Sequence, residues 1–170
     1  NACKTTNRSE LKSVANKAPN FLDLNGSSIE ENQLVGTSVG QLLAQDPDDN
    51  TSLTFRLVDG NGSKNNHLFT IDENASVLTK TTFDYETDEH NYSIRVEVID
   101  EHNFSMLKSF VINLINVLED HDGDGLEDYY DPDDDDDGFS DEAEFAFGSD
   151  PFDKESKINR PPTAMEIMDL

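Results

Sequence analysis

The sequence predicts an all-β fold: an antiparallel two-sheet sandwich over residues 19–119, followed by an irregular aspartate-rich segment. Three observations carry that reading. Short apolar runs alternate with polar residues at period two, as strands with one buried face do. Clusters of Gly, Asn, Asp and Ser separate the runs, as turns require. The acidic residues are also unevenly placed. Residues 120–155 hold 17 acids and one base, whereas the whole 170-residue chain holds 37 acids and 12 bases, a formal net charge of −25. The two regions therefore need separate explanations.

Residues 1–18 are polar and without periodicity, and read as a flexible lead. The order Asn1-Ala2-Cys3 at its start is similar to the processing site of a bacterial lipoprotein, and a lipid on Cys3 would anchor the rest of the chain to a membrane. In the sandwich, Leu53, Phe55 and Leu57 alternate with polar neighbours, and Asp59-Gly60-Asn61-Gly62 supplies a turn. Leu68 to Ile71 and Val77 to Leu78 read as short strands flanking Asp72-Glu73-Asn74. Ile94, Val96 and Val98 point one way while Ser93, Arg95 and Glu97 point the other. Phe110, Ile112 and Leu114 repeat the pattern. About 100 residues is the usual size of such a sandwich.

Composition removes several function classes. A charge this negative opposes binding to nucleic acid or an anionic membrane through a basic patch. A single Cys excludes an internal disulfide framework and a multi-cysteine zinc site. His67, His90, His102 and His121 form no spaced ligand set, and no serine-nucleophile or phosphate-cradling motif occurs, so the chain does not read as an enzyme.

Residues 120–153 cannot bury a core, yet their acids are regularly spaced. Asp133, Asp135 and Asp137 take positions 1, 3 and 5 of a twelve-residue calcium loop, and Gly138 takes position 6, where the chain turns sharply. Phe139 offers its carbonyl at position 7, Asp141 stands at position 9 and Glu144 at position 12. The same register occurs upstream. Asp120, Asp122 and Asp124 fill positions 1, 3 and 5, with Gly125, Leu126, Asp128 and Asp131 at 6, 7, 9 and 12. Oxygen ligands at every second residue suit a hard cation of high coordination number, so Ca²⁺ is the expected cofactor. Such a segment is expanded without metal and folds on binding it.

The second loop starts 13 residues after the first, which leaves no room for the helices of an EF-hand pair. The arrangement resembles the aspartate-rich calcium repeats of the thrombospondin type 3 family. Gly148 to Asp153 looks like the segment that closes such repeats in bacterial surface proteins.

The sandwich resembles a cadherin repeat. Pro19-Asn20-Phe21 looks like its opening, and Ile29-Glu30-Glu31-Asn32 like its V-x-E-N motif. Gly36-Thr37-Ser38-Val39 comes next, then Asp46-Pro47-Asp48, Phe69-Thr70-Ile71-Asp72, Phe83-Asp84-Tyr85-Glu86, Val98-Ile99-Asp100 and Asn116 to Asp120, in family order. The resemblance implies a seven-stranded Greek-key sandwich with calcium sites at both ends. Glu31, Asp84, Glu86, Asn116 and Glu119 would form the C-terminal cluster. Asp46, Asp48 and Asp100 would form an N-terminal half-site. Residues 16–24 also align with residues 159–167, which implies that a second repeat begins within 154–170.

The expected function is that of a calcium-stiffened adhesion module at the cell surface, in an extracellular setting, with an outer-membrane lipoprotein as the form that a lipid on Cys3 would give. Its partner would be another copy of itself or a surface glycan. The alternative is a calcium-dependent carbohydrate-binding or spacer module of a secreted polysaccharide-degrading protein.

Overall fold

Period-two burial organises the first part of the chain. The computed structural model describes residues 15–48 and 51–158. The chain divides into two compact units, Asn1–Asn116 and Val117–Leu170. Cys3 and most of the lead, and the segment 159–170 read as the start of a second repeat, lie outside the described residues.

In the first unit, β1 (Phe21–Asn25), β3 (Ser38–Gln45), β6 (Ser76–Thr79) and β5 (Phe69–Ile71) form one sheet in the order β1-β3-β6-β5. The other sheet has the order β2-β8-β7-β4, from β2 (Ser28–Glu30), β8 (Ser105–Ile115), β7 (Asn91–Ile99) and β4 (Thr54–Leu57). The described residues therefore form eight strands, not seven, and the sandwich is not wholly antiparallel, because β2 runs parallel to β8. The extra strand arises at Gly26, whose φ is +102°. The chain breaks there, so that β1 pairs with β3 while β2 crosses to the other sheet. A Cβ at Gly26 would stand 2.7 Å from the Val39 carbonyl oxygen, so the break also depends on close backbone approach.

The core lies between the sheets. Tyr92, Ile94, Val96 and Val98 of β7 face inward, as do Phe110, Ile112 and Leu114 of β8, while the residues between them are more exposed. Each such side chain contributes about 1.5–3 kcal/mol by leaving water. Phe83 packs on Tyr92 at 4.6 Å between ring centroids and on Phe69 at 5.8 Å. Leu53, Phe55 and Leu57 are only half-buried, as suits β4 at a sheet edge. Beyond β4, two side chains continue the pairing of β7. Asn65 Oδ1 accepts from Ser93 N–H at 2.9 Å, and Asn66 Oδ1 from Arg95 N–H at 2.9 Å. Leu68 lies in a 3-10 turn (Asn66–Leu68) that leads into β5.

The second unit contains no strand among its described residues, but it does contain a short helix, α1 (Asp141–Phe147), where the sequence predicts only irregular loops. Seven residues are too few to show a helical period. The capping signals are local. Ser140 accepts from Ala143 N–H at the start, Asp141, Glu142 and Glu144 place negative charge in the first turn, and Gly148 ends the helix at φ +79°. No helix among the described residues is long and apolar enough to cross a membrane.

Candidate metal centres

The two aspartate loops are built alike. Each uses its own carboxylates to hold its own backbone N–H groups. In the first loop Asp120 Oδ2 accepts from Gly125 N–H at 3.1 Å, and in the second Asp133 Oδ2 accepts from Gly138 N–H at 3.1 Å. Position 3 accepts from position 5 in both, Asp122 from Asp124 at 2.9 Å and Asp135 from Asp137 at 3.0 Å. Position 5 accepts from position 7 in both, at 2.7 Å for Leu126 and 2.8 Å for Phe139. Gly125 and Gly138 share a φ of +95°, which a side chain would disfavour. As a result, carboxylate oxygens of Asp120, Asp122 and Asp124 lie within 4.8 Å of one another, and so do those of Asp133, Asp135 and Asp137.

Position 9 does not join these triads. Asp128 Oδ1 accepts from His121 N–H at 2.8 Å and Asp141 Oδ1 from Asp134 N–H at 2.9 Å, so in each loop it ties back to position 2. Position 12 is where the loops part. Glu144 lies on α1, is fully buried, and neither of its carboxylate oxygens has a hydrogen-bond partner. Asp135 Oδ2 is likewise buried without a partner. Burial pushes the Glu144 carboxyl above its ordinary range, and the carboxylates of Asp135, Asp137 and Asp133 push the same way. The Ser149 hydroxyl works against that shift from nearby without completing a hydrogen bond. Burial also raises Asp135. Asp137 moves the other way. The Phe139 N–H, and then the Lys157 ammonium, hold it below the usual range against its burial. In the first loop Asp131 is half-buried and accepts from Asp133 N–H at 3.0 Å.

Asp134, at position 2 of the second loop, is a residue that the sequence does not single out. It is buried, and its carboxyl is pushed up to about 6, first by burial and then by Asp141, Asp128 and Asp131. Spacing gives no signal for it, because position 2 is not a ligand position of a calcium loop.

A third triad stands in the sandwich unit. Carboxylate oxygens of Glu31, Asp84 and Glu86 lie within 4.8 Å of one another. Glu31 is buried and accepts from Tyr85 N–H at 2.6 Å. Asp84 Oδ1 accepts from the N–H groups of Glu86 and Thr87, at 3.0 and 3.1 Å. Asn116 donates its amide to Glu86 Oε1 at 2.9 Å. Glu119, expected in the same cluster, belongs to the second unit, where its carbonyl accepts from Asp128 N–H.

Asp46, Asp48 and Asp100 form no such triad among the described residues. Most of their oxygens are engaged by the chain's own donors, although Asp46 Oδ2 is buried without a partner. Asp48 Oδ2 accepts from Lys17 N–H at 2.6 Å, and Asp46 Oδ1 from Asp48 N–H at 2.8 Å. Asp100 Oδ2 accepts from the Asn16 amide at 2.7 Å, and its Oδ1 from His102 and Phe104 N–H, which fastens the β7–β8 turn. Burial works to raise Asp100, but these hydrogen bonds outweigh it and hold the carboxyl below its usual range.

Comparison with known proteins places the first unit in a known family. The cadherin domain family matches residues 26–115, more than half of the chain. The chain is 34% identical over 96 residues to a Caenorhabditis elegans protein described as cadherin EGF LAG seven-pass G-type receptor fmi-1. That match takes in 51% of this chain but only 4% of the nematode protein. Among solved structures, chicken VE-cadherin EC1-2 is 27% identical with a TM-score of 0.47, over 57% of this chain and 50% of its own. Human protocadherin-24 EC1-2 is 23% identical, also with a TM-score of 0.47, over 59% and 44%. The chain thus spans about half or less of the relatives it matches. With a cadherin domain over most of its sandwich unit, the chain belongs to the cadherin family.

Proposed function

We propose that this chain is a calcium-binding adhesion module of the cell surface, in which Ca²⁺ rigidifies an extracellular cadherin domain and the tandem loops after it. Cadherin domains are adhesion modules rather than enzymes, which fits a chain with no catalytic constellation in its sequence. The two loops at 120–131 and 133–144 act as thrombospondin type 3-like calcium repeats. The domain order is a lead, a sandwich to residue 119, the loops to 153 and then a linker into a second repeat. A lipid on Cys3, or further parts of a longer protein, would tie the module to a membrane. Its partner is a second copy of the module or a surface glycan.

One observation supports the metal reading most. Glu144 is fully enclosed beside Asp133, Asp135 and Asp137, and neither of its oxygens has a partner. A buried carboxylate in that state is costly unless a cation or proton meets it. The residues fit Ca²⁺. Asp133, Asp135, Asp137, Glu144 and the Phe139 carbonyl supply only oxygen, in the register a hard cation of high coordination number takes. Magnesium suits the set less, because it keeps several of its waters. Asp120, Asp122, Asp124 and the Leu126 carbonyl would hold a second ion. Glu31, Asp84, Glu86 and Asn116 would hold a third at the end of the sandwich. Bound Ca²⁺ neutralises carboxylates that otherwise repel one another, so its binding energy becomes folding energy of the second unit.

Titration calorimetry of the full chain with CaCl₂, beside Glu144→Ala and Glu86→Ala, tests the proposal. The expected result is binding to the parent chain, with each variant losing a different one of the sites. Melting temperature and small-angle scattering that are the same in Ca²⁺ and in chelator would sink it.

A further inference from the structure

The segment after α1 returns to the second loop. Pro151 and Ile158 are buried, Asp150 N–H donates to Ser156 Oγ at 3.0 Å, and Ser156 N–H donates to the Asp153 carbonyl at 2.6 Å. Lys157 is therefore presented by an anchored turn, next to the buried Ile158. Its ammonium donates to Asp137 Oδ2 at 3.2 Å, and the Asp137 side chain is fully enclosed. Asp137 is position 5 of the loop, one of the three carboxylates that converge. Lys154 is the other base here. It stands 3.9 Å from Asp136 Oδ2 with both side chains well exposed, so its pairing is worth little.

We propose that Lys157 is a built-in counter-ion of the second loop, which holds the metal-free loop together and sets its calcium affinity below what its ligands alone would give. The inference rests on the reading of residues 133–144 as a calcium site. Five consecutive aspartates and Glu144 repel one another, and a tethered ammonium on the enclosed Asp137 offsets part of that repulsion. Once a divalent cation is bound, the same ammonium faces a charge of its own sign at close range. An interaction that favours the metal-free state over the loaded state must lower affinity by the ratio of the two effects. Lys157 thus moves apo stability and metal affinity in opposite directions. A purely structural lysine would lower both when removed.

The test uses the full chain with Lys157→Met, which keeps the apolar stem and removes the charge, and Lys157→Arg, which keeps the charge. Ca²⁺ is titrated by calorimetry, and melting is followed in chelator. Lys157→Met should bind Ca²⁺ at the second loop roughly three- to tenfold more tightly than the parent. It should also melt at a lower temperature in chelator, and Lys157→Arg should stay close to the parent on both counts. The gain in affinity should vanish in a Glu144→Ala background. Affinity that is unchanged or weaker in Lys157→Met overturns the proposal, as does a gain that persists without Glu144. Failure of the parent chain to bind Ca²⁺ at all would overturn the metal reading along with it.

Discussion

The two loops share one scaffold and differ in how it is closed. Positions 1, 3 and 5 hold matching backbone N–H groups in both, at distances that agree within about 0.1 Å. At position 12 the first loop has Asp131, short and already accepting from Asp133 N–H, while the second has Glu144, fully buried on α1 with both oxygens unpartnered. A scaffold that needs only local hydrogen bonds can be repeated every 13 residues. A closing ligand needs an element to carry it, and only the second loop runs into a helix. The second loop is accordingly the stronger candidate site and the one more strained without a cation.

The most direct way to break that comparison is Glu144→Gln. Binding at the second loop should fall by at least about 100-fold, beyond the 10- to 100-fold typical of losing a supporting residue. In chelator the same variant should melt higher than the parent, because a neutral amide replaces an unpaired buried carboxylate. Calorimetry and thermal melts read the two effects separately, and a fall in both would show Glu144 to be a packing residue only.

Acidity probes the same strain through a residue with no ligand position. Asp134 is pushed up to about 6, above its ordinary value near 3.8, because ionising it costs burial energy beside Asp141, Asp128 and Asp131. A folded-state value above the unfolded one means the folded chain binds the extra proton between pH 4 and 6. In chelator, the contribution of Asp134 to stability is complete below about pH 4 and is lost as pH rises through 6. The loss is at most about 3 kcal/mol. Asp134→Asn should flatten that part of the profile. Denaturant midpoints across pH 4–7 for both chains check it, and equal slopes would refute it.

Much of this was legible in the sequence for a physical reason. Burial at period two in β7 and β8, and carboxylates at every second residue of the loops, are both patterns over near neighbours. What stayed hidden depends on distance along the chain or on very short elements. Gly26 splits the first strand because of where Val39 lies, and the parallel pairing of β2 with β8 joins residues more than 80 apart. The Asp100 motif residue serves the β7–β8 turn and the Asn16 amide, which its spacing does not announce. Lys157 reaches Asp137 across 20 residues, and α1 shows only in its caps. The Glu31, Asp84 and Glu86 triad came from motif order rather than periodicity, and the structure brings those three together.

Asp131→Glu should sharpen the comparison from the other side. The longer side chain gives the first loop the residue that closes the second, with room to chelate through both oxygens. The expected gain is modest, roughly two- to fivefold in calcium affinity at the first loop, because no helix comes after it to hold the new carboxylate in place. Calorimetry in a Glu144→Gln background isolates that loop, and weaker binding there would show that Asp131 is needed for its hydrogen bond to Asp133 N–H.

The smallest effect separates the loops at position 4. The first has Gly123 at φ +80°, and the second has Asp136 at φ +50°, a conformation that costs a residue with a Cβ. Asp136 is exposed, and its contact with Lys154 is loose at 3.9 Å, so little is lost by removing its side chain. Asp136→Gly should stabilise the second unit by about 0.5 kcal/mol in chelator, the relief of backbone strain outweighing the extra freedom of the unfolded glycine. Gly123→Asp should destabilise the first loop by a similar amount, because it installs the strain the second loop already carries. Paired denaturant melts of the two variants decide it. If both variants shift stability the same way, backbone conformation at position 4 is not what separates the loops.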